Sequence, residues 1–584
     1  LKPGGFFSFI VSDTWRTIRT HRPLRKKLIV ETTVLHVLDL PPWIFEATVN
    51  TCILNLQKKP VLEGHRIITG DLHNVPKGNW DMLEANLTAV ASHSPDIQTT
   101  TYARYTYPQS LIASYDNLSF FIGSSSLYRV MSDSRFVRLK TIADVKAGLQ
   151  TGDNTYYLRK RLGARGSYQI LEKSKLMTEQ QIAILTEDEK RNGVAPDRYD
   201  GRHFIPYDKG AESDSEEGWL PNYYVPTQYF IDWSKDAIQR MRTATIADVK
   251  RRKGEENKIR PSDETTIAAV IRNQEYYFRE GLTVSRVGIY SPTFRIAANV
   301  PFDSGCSNIY FNNTDIDSAC GLVCSTILKY LFMQFTNHTV NSQANDLKDL
   351  PMPKRITTQT GTTSQITLFV NRIVDKQKAY PYYAYWLHEQ KDIDTLVYQL
   401  YGLTEEDIRE VELWYCRRYP KLAEAQGVLN EVQEKYSSHL QRCELILSKP
   451  PGYWNSKPIL QLVVRGEGQK LEFKETLEAD INTGERRAEI RHSTLKTIAA
   501  FSNADGGTLL IGVSDNGEIK GLARDFNLCN RHNQDGFQQK LRSLLQTHFQ
   551  PPPIGKVDIR FESLQEGIVC QVDVQASQDV IHLD

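Results

Sequence analysis

The stretch LEFK (Leu471–Lys474), followed by FSNADGGTLLIGVSDNG at residues 501–517, decides the fold of the C-terminal region. The pattern predicts a strand that bears a carboxylate, then a helix that Ser493 caps and an Asp-Gly-Gly sequence ends. A second strand is expected over residues 508–513, and Asp-Asn-Gly at 515–517 favours a hairpin turn. The region therefore predicts an α+β domain.

The composition is that of a globular protein with several domains. A length of 584 residues suggests roughly three to five domains, and 40% of the residues are hydrophobic while 24% are charged. No window offers the run of about 18 apolar residues that a membrane span needs, so no membrane role is predicted. The eight cysteines lack zinc-type CxxC spacing, which favours the reducing cytoplasm of a prokaryotic cell. Cys320 and Cys324 are interpreted as buried thiols.

The net charge of +1 means that binding to nucleic acid must rest on local basic clusters. Two clusters stand out, RTIRTHRPLRKK at residues 16–27 and KRRK at residues 250–253. Either cluster could contact phosphates, and a solvated helix face is the alternative interpretation.

Periodicity and linkers divide the chain into five segments, which together predict a multidomain protein of mixed α/β and α+β class. Residues 1–60 suggest part of an α/β sheet, with strands at 6–11, 34–38 and 48–56 and a helix at 23–29. The chain begins with Leu and stops inside a predicted strand, so we expect a fragment cut at both ends. The other segments are a variable connection (61–137), a large mixed region (138–353), a helical segment capped at Thr404 (366–446) and the terminal domain (461–584).

The terminal domain resembles the Schlafen AlbA-type domain, which is described as DNA-binding. Four motifs occur in the family's order: EGQKLEFKETL, HSTLKTIAAFSNADGGTLLIGVSDNGEIKGL, NQDGFQQKL and PPPIGKVDI. The resemblance implies binding to DNA, with RNA or another nucleic acid as an alternative ligand. Phosphate contacts are expected from basic residues of this domain, namely Lys470, Lys474, Arg486, Arg487 and Arg491.

The same resemblance implies a metal site. In relatives with nuclease activity, two glutamates five residues apart and an aspartate after the glycine-rich strand hold a divalent cation, and Glu467, Glu472 and Asp515 match those positions. Such a group would bind Mg or Mn through oxygen ligands and activate water. In the structural alternative, Asp515 serves the turn, Glu472 pairs with Lys474 or Lys496, and Glu467 is solvated. Binding without cleavage is favoured.

A second resemblance begins at the N-terminus. LKPGGFFSFIVSDTW at residues 1–15 and VLHVLDLPPWIFEATVNTCILNLQKK at residues 34–59 resemble the second half of the catalytic domain of adenine-specific DNA methyltransferases. The resemblance is greatest to type IIG restriction-modification enzymes and their phage-defence relatives. It implies the last helix and the antiparallel strands of a class I methyltransferase sheet, which support the pocket for a flipped-out adenine.

The downstream motifs look like the target-recognition region of that family, which binds double-stranded DNA. They are GLQTGDN (148–154), SRVGIYSPTFRI (285–296) and NDLKDLPMP (345–353), followed by LVYQLYGLTEEDIREVE (396–412) in the helical segment. Tyrosine-rich loops of this kind also occur in carbohydrate and protein recognition. The predicted DNA contacts are Arg16, Arg19 and Arg22 at the rim of the pocket, and Gln150, Thr151, Asn154, Arg286 and Arg295 in the recognition region.

The methyl-donor site is expected to lie outside this chain. DLPPW at residues 39–43 superficially resembles the catalytic Pro-Pro loop, but Leu40 separates the carboxylate from the prolines, so a strand-to-loop junction is predicted. The glycine-rich cofactor loop and the Pro-Pro loop would both precede Leu1. S-adenosylmethionine is therefore a cofactor of the parent protein, and this fragment is expected to recognise DNA without transferring methyl groups. The alternatives are a metal-dependent nuclease and a non-catalytic regulatory DNA-binding module.

Overall fold

The computed structural model describes residues 2–45, 49–91, 95–209, 221–288, 290, 292–339, 341–357, 361–450 and 452–584. It is a mixed α/β structure with several sheets and many helices. The chain forms two compact units. The first unit consists of Leu1–Asn74 and Thr106–Asn430, and the second consists of Val75–Tyr105 and Glu431–Asp584. This grouping differs from the five segments that the sequence suggests.

The N-terminal part of the first unit is a sheet of strands β1 (Phe6–Ser12), β2 (Thr33–Asp39), β3 (Thr51–Gln57) and β4 (Arg66–Asp71), with helix α1 (Arg22–Glu31) between β1 and β2. Strand β3 lies between β1 and β2 and is antiparallel to both, while β4 is parallel to β2. The carboxyl ends of β1, β2 and β4 therefore lie at one edge. The predicted helix and three strands are confirmed, although residue 48 lies outside the described residues; β4 was not predicted.

Two four-stranded sheets follow in the first unit. In spatial order, the first contains Gln169–Ile170, Leu158–Lys160, Tyr229–Asp232 and Phe204–Tyr207, and the second contains Thr293–Ile296, Leu282–Ser285, Cys306–Phe311 and Ala143–Ala147. Phe136–Arg138 pairs with Pro351–Pro353. The α-helices of this part of the chain are Ser125–Arg129, Asn154–Tyr157, Glu179–Ala183, Glu187–Asn192, Lys235–Thr243, Ile246–Arg252, Ile316–Val323, Thr326–Leu331, Ala344–Leu347, Gly361–Ala379, Glu389–Tyr401, Glu405–Arg418 and Pro420–Ala425.

One hydrophobic core joins these elements within the first unit. It contains Val37 from the sheet, Ile309 from the mixed region and Trp414 from the helical segment. The helix Glu405–Arg418 begins as predicted, because the Thr404 side chain accepts the N–H of Asp407 in a capping box.

The second unit is built on a four-stranded sheet in the order Leu471–Lys474, Gly507–Ile511, Ile568–Val574, Val557–Ser563, in which only the first pair is parallel. Leu495 and Leu541 come from two helices that pack on this sheet, Ala488–Asn503 and Gln534–His548. The remaining elements of this unit are the helices Trp80–Ala91, Ser437–Ser448, Pro458–Arg465 and Ala523–Asn527, and the short strand pair Phe549–Gln550 with His582–Leu583. The strand Ala103–Pro108, which pairs with Ile97–Gln98, and the helix Val428–Lys435 each include residues of both units.

The predicted start of one helix in this unit was wrong. The helix begins at Ala488 and not at Ser493, because Ala479 and Arg486 already form a β-bridge that ends the preceding loop. Gly506 ends the helix region with a φ of +77°, as the Asp-Gly-Gly pattern predicted.

All eight cysteines are buried free thiols, which confirms that interpretation of Cys320 and Cys324. Among the described residues, no single helix has the length and apolar character to cross a membrane; one pair bent by 59°, Ile316–Val323 with Thr326–Thr336, meets those two criteria jointly.

Candidate functional site

Glu467, Glu472 and Asp515 lie near one another in the second unit. Glu467 follows the helix Pro458–Arg465, Glu472 is on the strand Leu471–Lys474, and Asp515 is in the turn after the glycine-rich strand. Partial burial of the Glu467 carboxyl raises its pKa, and the negative charges of Glu472 and Asp515 raise it further. The Glu467 carboxylate is therefore close enough to Glu472 and to Asp515 to interact electrostatically with each.

Each member of this trio also has a structural role. The Glu467 carboxylate accepts the backbone N–H of Phe473 at 2.9 Å, and Glu472 pairs with the Lys474 ammonium at 2.7 Å. Asp515 lies in a tight turn. A hydrogen bond of 2.8 Å from the Gly517 N–H to the Ser514 carbonyl closes this turn. No group of three or more His, Cys, Asp or Glu side chains in the described part of the chain could hold a metal ion. The side chains as arranged do not fit Mg or Mn.

A polar cleft of about 730 Å³ lies beside Asp515. Ser438 and Gln441, from the helix Ser437–Ser448, line it together with the end of the Leu471–Lys474 strand and the turn at residues 514–516. Its lining includes four carboxylates and two ammonium groups: Glu475, Glu489, Asp515, Glu518, Lys474 and Lys520. The cleft is therefore more acidic than basic.

The basic residues predicted to contact phosphates in this unit are close to carboxylates. Glu478 is 2% exposed and lies 2.9 Å from Arg486, 3.6 Å from Arg491 and 3.3 Å from Lys540. Arg487 lies 3.5 Å from Asp480. Lys470 remains 61% exposed and is 4.0 Å from Asp505, so it is the best placed of the predicted contacts for an external phosphate.

Asp525 is a buried residue that holds a loop in place, and the sequence analysis did not find it. Its carboxylate, 1% exposed, accepts the backbone N–H groups of Leu477, Glu478 and Ala479 at 2.8 to 3.1 Å. Burial raises the pKa of Asp525, and the three N–H groups oppose that shift. Asp525 thus fixes the loop that follows the Leu471–Lys474 strand, about 50 residues away in sequence, where no local pattern points to it.

In the first unit, the structure places Arg16 in the interior, and its position at the rim of a pocket stays a prediction. Arg16 is 3% exposed and forms an ion pair of 2.7 Å with Asp39, because the carboxyl ends of β1 and β2 lie at the same edge of the sheet. Arg19 and Arg22 are on the surface, where they pair with Asp349 and Asp116. Strand β2 ends at Asp39, which confirms that DLPPW is a strand-to-loop junction.

Further titratable groups lie buried at the carboxyl ends of the parallel strands. His338 lies 3.1 Å from Asp13, which directly follows β1. Asp71, the last residue of β4, pairs with Arg417 at 2.6 Å. Burial opposes ionisation of Asp71, but the charges of Arg417 and His73 outweigh it, so its pKa is lowered. This edge is held by internal ion pairs.

The glycines of the N-terminal motif do not form a cofactor cradle. The N–H of Gly4 donates to the Lys58 carbonyl at 2.8 Å, so this turn serves the pairing of β1 with β3. The described residues therefore offer no fit for S-adenosylmethionine at this turn.

The predicted contacts of the recognition region differ in exposure. Gln150 is exposed, whereas Thr151 is buried and donates to the Asn154 side chain at 2.5 Å. Arg286 donates to the carbonyls of Ser304 and Ser342 at 2.9 and 3.2 Å. Arg295 is 4% exposed and donates to the Ser285 hydroxyl at 2.7 Å, and its expected contact with DNA stays a prediction.

The KRRK cluster is also paired internally. Lys250 lies 2.6 Å from Asp263, Arg252 lies 2.9 Å from Asp153, and Arg251 contacts Glu264. A run of like charges in the sequence is thus balanced by carboxylates from elsewhere in the fold.

Comparison with known proteins identifies the C-terminal region. Residues 467–582 match the Schlafen AlbA_2 family. The match covers the three carboxylates, Lys470, Glu478 and Asp525, and it leaves out the helix Ser437–Ser448. No curated protein matches the chain.

The solved structures that are similar to the chain include three restriction or restriction-modification enzymes. The type IIG restriction endonuclease BpuSI is 14% identical over 72% of this chain and 48% of that chain, with a TM-score of 0.26. The type IIL restriction-modification enzyme MmeI in complex with DNA is 12% identical over 72% and 50%, with a TM-score of 0.37. The ATP-dependent type ISP restriction-modification enzyme LlaBIII bound to DNA is 13% identical over 64% and 25%, with a TM-score of 0.28. The chain spans half or less of the length of each.

Proposed function

We propose that the chain provides DNA target recognition and a second nucleic-acid-binding unit to an adenine-specific, S-adenosylmethionine-dependent methyltransferase of a restriction-modification or phage-defence system. The observation that carries this proposal is the order β1-β3-β2, in which the antiparallel strand β3 lies between the parallel strands β1 and β2, and helix α1 connects β1 to β2. The resemblance of residues 1–59 implies a helix and antiparallel strands at the end of a methyltransferase sheet, and this arrangement supports that expectation.

The proposed ligand of both units is nucleic acid. In the first unit it is double-stranded DNA, for which exposed Gln150, Arg19 and Arg22 are the accessible candidates. In the second unit the match to Schlafen AlbA_2 supports DNA, or RNA as the alternative, with Lys470 as the most exposed of the predicted phosphate contacts.

Methylation is tested on the protein that contains this chain. With S-adenosylmethionine and duplex DNA it should form N6-methyladenine at one sequence. Methyl transfer to cytosine, or none under conditions where the protein binds DNA, would contradict the proposal.

Binding by the second unit should depend on Lys470. Because each neutralised phosphate contributes to the salt dependence of affinity, Lys470→Ala should weaken binding of a short oligonucleotide about threefold to tenfold and lower the salt slope by about one. Fluorescence anisotropy between 50 and 200 mM salt measures both quantities. Arg542→Ala, which removes an exposed cation from the helix Gln534–His548, is the control and should change neither. An unchanged slope in Lys470→Ala would rule out this phosphate contact.

A metal-dependent nuclease is the second candidate function. The observation that favours it is that Glu467 lies near Glu472 and Asp515, at the positions that the resemblance to the Schlafen AlbA-type domain implies for a metal site. The Lys474 ammonium forms an ion pair with the Glu472 carboxylate. We therefore expect the chain to bind oligonucleotides without cutting them in the presence of Mg²⁺ or Mn²⁺. Cleavage that requires either ion and disappears in both Glu472→Ala and Asp515→Ala would establish the nuclease instead.

A further inference from the structure

The helix Ser437–Ser448 contacts the turns that carry two of the three carboxylates, although it lies outside residues 467–582. Gly466, directly before Glu467, has a φ of +75°, and a Cβ atom placed on it would overlap the guanidinium of Arg442. A Cβ atom on Gly517, two residues after Asp515, would lie 3.6 Å from Cγ of the same arginine. The stem of Arg442 therefore packs against one turn and its guanidinium against the other.

Arg442 is itself held in place by a chain of hydrogen bonds. Its Nη2 donates to Nδ1 of His439 at 2.9 Å, and Nε2 of His439 donates to the Gln98 carbonyl at 2.9 Å. Acceptance at Nδ1 places the imidazole proton on Nε2, so the two bonds are mutually consistent. An anchored side chain of this kind fixes the spacing between the two turns.

The same helix lines the cleft beside Asp515. Ser438 and Gln441 line it with neutral hydrogen-bonding groups, and the rest of the lining carries more carboxylates than ammonium groups. A bare phosphate is poorly matched to this surplus of negative charge. A base edge is better matched, because the amide of Gln441 offers both a donor and an acceptor.

We infer that the helix Ser437–Ser448 is a wall of the nucleic-acid site in the second unit, in which Arg442 positions the turns of Glu467 and Asp515 and Gln441 contacts an unpaired base. The inference rests on the proposed binding of nucleic acid by this unit. It extends the site beyond the matched residues 467–582 and assigns the cleft to bases and not to the phosphate backbone.

Hydrogen exchange on the whole chain, with and without a 20-nucleotide single strand at 50 mM salt, separates this inference from the proposed function. We expect slower exchange at residues 437–448 together with 471–475 and 514–518. Slower exchange at residues 471–475 and 514–518, with unchanged exchange at residues 437–448, would overturn the inference and leave the proposed function standing. Absence of protection throughout residues 431–584 would overturn both.

Two variants test the separate roles on the helix. Gln441→Ala should weaken binding of the single strand roughly tenfold with an unchanged salt slope, because it removes a neutral contact. Arg442→Met keeps most of the stem and removes the guanidinium; it should weaken binding, leave the slope unchanged and speed exchange at residues 514–518 in the free protein. A slope lowered by about one in Arg442→Met would show a direct phosphate contact and overturn the positioning role.

Glu434→Ala is the matched control, because Glu434 is exposed, lies on the preceding helix Val428–Lys435 and does not line the cleft. It should bind like the wild type. Wild-type affinity in Gln441→Ala as well would exclude the helix from the site, whether or not Arg442→Met is folded.

Discussion

Arg417→Met should destabilise the first unit by about 3 to 5 kcal/mol, because it leaves the buried carboxylate of Asp71 without its counterion. Arg417 is fully buried, Asp71 is 7% exposed, and the two side chains are 2.6 Å apart. Removing one partner of such a pair costs more than removing both. The free energy of unfolding is measured by urea titration at pH 7, with hydrogen exchange reporting on the first unit alone.

The double variant Asp71→Asn, Arg417→Met should recover much of this loss, since no uncompensated charge remains buried. The loss in the single variant should also shrink as the pH falls from 7 toward about 4, because the unpaired Asp71 can then take up a proton. Lys190→Ala is the control, because its partner Glu187 is 90% exposed and a pair of this kind contributes under about 1 kcal/mol. A double variant as unstable as the single one would contradict this account.

Local patterns predicted local structure well. The apolar runs predicted β1, β2 and β3. Thr404, followed by acidic residues, predicted the start of the helix Glu405–Arg418. The glycine pattern after residue 504 gave the turn into the strand Gly507–Ile511. In each case, the residues that determine the structure are neighbours in the sequence.

The candidate site was less predictable, because its charges are set by partners distant in sequence. Arg16 was expected at a rim, yet Asp39 binds it in the interior once β1 and β2 lie side by side. Arg252 is paired with Asp153, 99 residues away, and Arg486 with the buried Glu478. The sequence shows that a residue is basic. Only the fold determines whether its charge is paired internally or available to a ligand.

Asp525→Ala should destabilise the second unit by about 3 to 5 kcal/mol, and nucleic-acid binding by this unit should be lost with it. The carboxylate is the acceptor for the backbone N–H groups of Leu477, Glu478 and Ala479, all of which are buried. Each buried donor left without an acceptor costs about 1 to 3 kcal/mol. The loop that these bonds hold also carries Glu478, on which Arg486, Arg491 and Lys540 converge.

Hydrogen exchange at residues 477–479 is the direct measurement, because those amides should become among the fastest in the unit. Asp525→Asn should lie between the wild type and Asp525→Ala, since one side-chain oxygen remains to accept the N–H groups of Glu478 and Ala479. Asp579→Ala, at an exposed position in the same unit, should stay within about 0.5 kcal/mol of the wild type. Exchange at residues 477–479 as slow in Asp525→Ala as in the wild type would mean that other contacts hold the loop. It would contradict the role assigned to Asp525.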